Sequence, residues 1–375
     1  MHASHRPASL AIAGAWGYIG RKFLHAAAVL RVRTYALDLG PTPTDVDRTT
    51  FQRIDDEEEF YHLPAEMFHL ALHPEHRRLG LDVLLARGRV EPLIVLCEKP
   101  MASPERPGDT DALVAAAANL RAALWFDFPE LFDPITRRIE DFLASFDDVR
   151  IERMRLVRSK DREDPANPRN RKRMVPIQYQ ESVHCAAFAL NILGLAHGSV
   201  DAALAGGVTA QARSEPYRPP NPEDYPYVVD GRCEYELALG GCVVAGDTNF
   251  RRGAPLTKLR EIHGRGDGEP FSIEAEYLEG AKWLKFNGAP QDVDPAGSSY
   301  EAVLQTAARW HEKRTEGAPR TRYPDAAFAR HTYRLSSVLW RSSFDRRAIA
   351  LPGAEALDRF DAGFAGQAPH LPRYA

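Results

Sequence analysis

The sequence predicts an α/β domain built on a parallel sheet, followed by an α+β domain with an open, mostly antiparallel sheet. Three observations carry this expectation. Strand-like and helix-like patterns alternate over roughly the first 125 residues, as in βαβ units. Beyond about residue 150, strand candidates follow one another without intervening helices, as in an antiparallel sheet. At 375 residues the chain is long enough for two domains. The expected divisions are residues 1–125, residues 126–345 and a C-terminal extension over 346–375.

The elements follow in order. "SLAIAG" (9–14) is a short apolar run ending in glycine, read as a strand. "YIGRKFLHAAAVL" (18–30) places Ile19, Phe23, Ala27 and Leu30 at helical spacing. "RTYALDL" (33–39) reads as the second strand, and "MFHLALHP" (67–74) as a later one stopped by proline. "EHRRLGLDVLLARG" (75–88) is an amphipathic helix with Gly88 as an end signal. "PLIVLCEKP" (92–100) is a buried strand, and "DTDALVAAAANL" (109–120) a helix with Asp or Thr as cap. "VRIERMRLVRS" (149–159) alternates as a half-exposed strand does. Residues 161–176 read as a polar, basic loop, and 178 to about 194 as a helix. Strand candidates follow at 231–250, 257–267 and 282–288, and closing helices at 299–313 and 325–342. The proline-rich run over 214–227 reads as a surface loop.

Composition narrows the function classes. Apolar content of 44% and charged content of 27% suit a globular protein. A net charge of −4 supplies no general attraction for nucleic acid or an anionic membrane. No apolar run approaches the roughly 18 residues a membrane helix needs, and the first 20 residues do not read as a signal peptide. Cys97, Cys185, Cys233 and Cys242 form no CxxC pair, so a reduced, cytoplasmic chain without a metal site is expected.

"GAWGYIG" sets Gly14, Gly17 and Gly20 between a strand and a helix. Glycines there permit a tight turn and close approach of the backbone to a pyrophosphate, whose charge suits a helix N-terminus. The spacing is GxxGxxG, and by itself an ordinary glycine turn explains it equally well. Asp38 ends the second strand, 18 residues after Gly20. That is close to the roughly 20 expected of an acid that holds an adenosine ribose. A carboxylate there repels a 2′-phosphate, so NAD(H) is preferred and NADP(H) is the second choice. A solvated strand-end aspartate is the plainer reading.

"CEKPMA" (97–102) follows the last strong parallel-strand candidate, which puts Lys99 at the carboxyl edge where ligands of doubly wound sheets lie. A lysine there can give a proton to a carbonyl oxygen as hydride arrives at carbon, or take one in reverse. Its ordinary pKa, roughly 10.4, would need lowering by burial or by nearby positive charge. A surface lysine in a turn is the alternative.

Gly14, Gly17, Gly20, Asp38, "ALHPEH" (71–76) and "CEKPMA", in this order and spacing, resemble the Gfo/Idh/MocA oxidoreductase family. The resemblance extends through "EIHGRGDG", "SYEAVLQTAARWHEK" and "YPDAAFARHTYRLSSVLWRSS" and covers nearly the whole chain. It implies an NAD(P)-binding Rossmann domain and a second domain whose open sheet often forms oligomer contacts, hence a homodimer or homotetramer. It also implies reversible oxidation of a hydroxyl, usually on a sugar, cyclitol or related small molecule. Lys99 matches the family's catalytic lysine. Gly14, Trp16, Gly17, Tyr18, Ile19, Gly20, Asp38, Leu72, His73, Pro74, His76 and Glu98 fall on the cofactor side, which makes "HPEH" a nucleotide loop and not a metal pair.

The stretch "QYQESVHCAAFAL" (178–190) holds the second matching motif, an aspartate followed four residues later by a histidine. His184 fits the histidine, but Gln180 stands at the aspartate position and cannot take a proton. Glu181 lies about 100° further round a regular helix. Gln180, Glu181 and Tyr179 are expected to orient substrate. The basic residues of the loop before this helix, Arg158, Lys160, Arg162, Arg169, Arg171, Lys172 and Arg173, would suit an anionic substrate, and equally a solvated loop. Three other readings compete. A short-chain dehydrogenase needs Tyr-x-x-x-Lys, and Tyr18 to Lys22, inside the glycine turn, is the one match. A cofactor-binding sensor or regulatory protein would keep the fold without turnover. Reduction of a C=N bond would use the same hydride geometry.

Overall fold

The computed structural model describes residues 6–315 and 323–374. The start of the N-terminal stretch weighed above as a signal peptide, residues 1–5, lies outside them. In chain order the first elements are β1 (Ser9–Ala13), α1 (Tyr18–Val29), β2 (Arg33–Leu37), β3 (Gln52–Arg53), α2 (Glu57–His62) and β4 (Met67–Leu70). Next come α3 (Arg78–Gly88), β5 (Ile94–Glu98), α4 (Gly108–Ala117) and β6 (Ala123–Asp127). The strands form one six-stranded sheet in the order β3-β2-β1-β4-β5-β6, every pair parallel. All residues of β1, β4, β5 and β6 are buried, as expected of strands covered on both faces.

The second half begins with α5 (Pro134–Ala144) and β7 (Val149–Ser159). A π-helical turn over Gln178–Ser182 leads into α6 (Val183–Ala196), followed by α7 (Val200–Leu204) and β8 (Val208–Pro216). Then come β9 (Asp230–Leu239), β10 (Cys242–Asn249), β11 (Leu259–Gly266), β12 (Glu269–Glu276), β13 (Trp283–Phe286) and β14 (Ala289–Gln291). Helices α8 (Ser299–Thr315) and α9 (Ala326–Asp345) and strand β15 (Ile349–Leu351) follow. The nine strands form one sheet, β14-β13-β12-β11-β7-β10-β9-β8-β15, antiparallel except for β10 against β7. Burial alternates along β9 and β11, so one face of these strands is packed and the other is open. Helix α6 is apolar nearly all round and correspondingly buried.

The chain divides into two compact units. One holds residues 1–102, 108–133 and 298–329; the other holds 103–107, 134–297 and 330–375. Helix α8 thus returns to the unit of the parallel sheet, and residues 346–375 are part of the open-sheet unit, where β15 supplies an edge strand against β8. The proline-rich run differs from the expected surface loop. Its first residues extend β8, and Tyr217, Tyr225 and Tyr227 are buried. Tyr217 Oη donates to Arg162 O at 2.9 Å, so the run helps to anchor the basic loop.

Candidate functional site

In the first unit the glycine turn is built as a cradle. Gly14 directly follows β1; its φ of +76° favours glycine, and a Cβ there would lie 2.6 Å from Ala71 O. A Cβ on Gly20 would lie 2.3 Å from Gly14 O, so the helix can pack this closely only with glycine. Gly14 N–H donates to Leu37 O at 2.9 Å, which ties the turn to β2. Helix α1 has Gly17 as its N-cap, which makes no side-chain cap bond, and the dipole of a helix N-terminus suits an anion.

Asp38 lies just beyond β2 and holds the turn from the other side. Its Oδ2 accepts the Trp16 N–H at 2.9 Å. The Trp16 indole donates to Gly40 O at 3.0 Å and lies against Phe51. Leu72, His73 and Pro74 follow β4 as a partly exposed segment, with His76 exposed at its end and its N–H bonded to His73 O. Ile19 is partly buried and Tyr18 is 42% exposed.

Lys99 directly follows β5. Because the sheet is parallel, Gly14, His73 and Lys99 leave the same edge from β1, β4 and β5, three neighbouring strands. Neighbouring strands lie roughly 4.8 Å apart, so the lysine turn emerges about 10 Å along the edge from the glycine turn. Arg77, 2% exposed, fixes the lysine turn. Its guanidinium donates to the carbonyls of Glu98, Pro100 (3.1 Å) and Met101 (2.5 Å), and it lies over the Phe126 ring at 5.6 Å. Sequence reading stopped at His76 and missed this residue. A basic residue placed just before a helix and ahead of the strand that carries "EKP" is the only signal it gives.

Two further residues were also missed. Glu98 Oε1 lies 3.2 Å from His69 Nε2, and Glu98 stands opposite Asp127 in the β5–β6 register. One polar atom from each of the three lies within 4.8 Å of those from the other two, and all three residues are buried. Burial holds His69 neutral, down to about 4, and pushes Asp127 well above the usual carboxylate range, with repulsion from Glu98 adding to it. The signal in the sequence was a polar residue set inside each of two apolar strands.

In the second unit, the stretch around His184 is not a regular α-helix. Residues 178–182 form a π turn, whose wider i→i+5 winding rotates successive side chains less than an α-helix does. His184 follows on the first turn of α6 and is buried. Gln180 is partly buried. Tyr179 is 1% exposed; its hydroxyl donates to Ser337 Oγ at 3.1 Å and its ring packs against Tyr333, so it serves the core. Glu181 is bound by two cations, the Arg158 guanidinium and Lys160 Nζ at 3.0 Å. Two cations of the basic stretch are therefore engaged inside the unit. Crowding by protein atoms brings Lys160 down to about 8 against the pull of Glu181, though its side chain keeps 39% exposure. A cavity of about 520 Å³ on the open sheet, lined among others by Arg155, Arg213, Glu234 and Asp247, contains none of the expected site residues.

Fold and site together define a class: a tight glycine cradle on a six-stranded parallel sheet, in a chain whose second unit holds a nine-stranded open sheet. Solved structures with this architecture include an oxidoreductase from Agrobacterium radiobacter in complex with NAD+, L-tartaric acid and magnesium, at 15% identity and TM-score 0.67, covering 92% of this chain and 98% of that one. An aldose-aldose oxidoreductase from Caulobacter crescentus, complexed with glycerol, is similar at 14% identity and TM-score 0.67, covering 92% and 100%. Levoglucosan dehydrogenase in complex with NADH and L-sorbose is similar at 14% identity and TM-score 0.68, covering 92% and 99%. No protein-family model and no curated protein sequence matches the chain. Among the described residues, no helix is long and apolar enough to cross a membrane.

Proposed function

We propose that the protein is an NAD(H)-dependent oxidoreductase that interconverts a secondary hydroxyl and a ketone on a sugar, cyclitol or related polar small molecule. The observation that carries this reading is the shared sheet edge, where the glycine cradle and the pinned Lys99 turn emerge two strands apart. The cradle fits a dinucleotide. Gly14 and Gly20 leave no room for a Cβ, a helix N-terminus follows the turn, and the Asp38 carboxylate lies beside it, partly exposed. When bound, the cofactor supplies a hydride carrier at nicotinamide C4. Asp38 binds the ribose hydroxyls and disfavours a 2′-phosphate. Lys99 holds or releases the proton of the reacting oxygen. His184, buried at the start of α6 in the other unit, is the second catalytic candidate. Gln180, where the related motif has an aspartate, serves as a neutral orienting group, and Glu181 is committed to Arg158 and Lys160. The similar solved structures named with NAD+, NADH and sugar ligands support the cofactor and substrate class.

The test is a screen of sugars, sugar acids, cyclitols and their keto forms, followed by NADH absorbance and repeated with Lys99→Ala and Asp38→Ala. Lys99→Ala is expected to keep NADH affinity and to lose turnover by about 10²-fold or more. Asp38→Ala is expected to weaken NADH by about 10–100-fold, as for loss of hydrogen bonds to a charged group. Undiminished turnover in Lys99→Ala overturns the catalytic assignment. A protein that binds NADH and turns over nothing in the screen favours a sensor.

A further inference from the structure

The buried group His69, Glu98 and Asp127 is left over when the nucleotide cradle and Lys99 have been accounted for. It joins three adjacent strands, β4, β5 and β6, and it takes in Glu98, which the resemblance put on the cofactor side and which is buried. Asp127 is 1% exposed, and with both carboxyl groups ionised neither of its oxygens would be hydrogen-bonded. It would also face a second carboxylate across the sheet. Two such carboxylates in a dry setting do not both ionise; they share a proton. His69 faces Glu98 and is covered on its ring by Phe23, with centroids 4.1 Å apart. Arg77 donates to the backbone carbonyl of Glu98 and Cys97 lies next in the chain, while Lys99 acts electrostatically on both carboxyl groups.

We propose that Glu98 and Asp127, capped by His69, hold one proton between their carboxyl groups and act as positioning residues that fix a single negative charge beside Lys99. Removing that charge would let the ammonium lose its proton at lower pH. Keeping it constant holds the lysine's protonation steady while the pair itself neither gains nor loses a proton across neutral pH. Cys97 is held as the thiol by burial and adds no charge. The significance for turnover rests on the reading of Lys99 as acid/base, but the proton sharing itself does not.

The experiment needs neither substrate nor turnover. Infrared spectra of wild-type protein and Asp127→Asn are compared at neutral pH. The reactivity of Lys99 toward trace acetic anhydride is followed against pH by peptide mass spectrometry. A protonated-carboxyl band is expected in the wild type and should be absent from Asp127→Asn. Asp127→Asn and Glu98→Gln should each leave the Lys99 midpoint nearly in place, because one carboxyl group remains to carry the charge. The double variant should lower it by about one pH unit or more, the effect of losing an opposite charge at close range. That is about a tenfold gain in free amine at a given pH. A wild type without the band overturns the proposal, as do single variants that shift the midpoint as far as the double. Stoichiometric uptake of added zinc that Asp127→Asn abolishes also overturns it. Should the double variant not fold, titration of the wild-type band decides: it should persist through neutral pH, and its loss there refutes the sharing. Loss of the oxidoreductase reading through an active Lys99→Ala would leave these results standing, so the two can fail separately.

Discussion

At the residue scale, the turn that carries Lys99 owes its shape to one guanidinium. Arg77 is buried and donates to three carbonyls, those of Glu98, Pro100 and Met101. A buried carbonyl stripped of its donor costs about 1–3 kcal/mol. Arg77→Ala is therefore expected to destabilise the protein by about 3 kcal/mol or more, read as a lower urea midpoint. Arg77→Lys should recover only part of this, because a point-like ammonium cannot reproduce a planar fork with five donors. An Arg77→Ala protein as stable as wild type would show that the turn holds its own shape. Lys99, Asp38 and the three glycines were legible in the sequence because their chemistry is tied to chain order along a βαβ unit. Arg77, His69 and Asp127 were not, because what matters about them is which strands lie side by side.

At the element scale, the segment around His184 joins a legible part to an illegible one. The apolar run of α6 marks a buried helix, and the structure buries it. The π turn before it leaves that apolar pattern intact, so spacing read at 100° per residue gave no sign of the wider winding. Strand β6 was missed for a similar reason: "ALWFD" is a short apolar run with no alternation, and such runs do not declare themselves as strand. β8 and β12 alternate but abut proline- and glycine-rich neighbours that read as loop. The element around Glu181 yields a prediction. Its carboxylate is 4% exposed, and Arg158 beside it is 12% exposed. Removing one partner of a buried pair costs about 3–5 kcal/mol. Lys160 is far more exposed, which places Glu181→Ala at about 3 kcal/mol. Glu181→Gln, which keeps an acceptor, should lose less. Thermal unfolding of the two variants checks the order, and a Glu181→Ala protein within error of wild type would show that the cluster contributes nothing to the fold.

At the scale of the whole molecule, two buried groups, one in each unit, respond to acid with opposite signs. In the parallel-sheet unit, burial keeps His69 neutral down to about 4, whereas an unfolded histidine takes up a proton near 6.5. Between those values the unfolded chain binds more protons, so this group makes stability fall as pH drops from 6.5 to 4. In the open-sheet unit, Asp230 accepts from Gln178 Nε2 at 2.7 Å, yet burial still raises it to about 6 from 3.8. Over that range the folded chain binds more protons, so this group makes stability fall as pH rises from 3.8 to 6. The two slopes therefore oppose each other between about pH 4 and 6, and each is bounded by about 1.4 kcal/mol per pH unit. Urea unfolding at pH 4.5, 5.5 and 6.5 separates them. Asp230→Asn should make stability climb more steeply with pH than in wild type, because its downward term is gone. His69→Gln, which retains a donor for Glu98, should make the climb shallower or reverse it. Parallel profiles for all three proteins would mean that neither group changes its proton affinity on folding, and the burial argument for both would fail together.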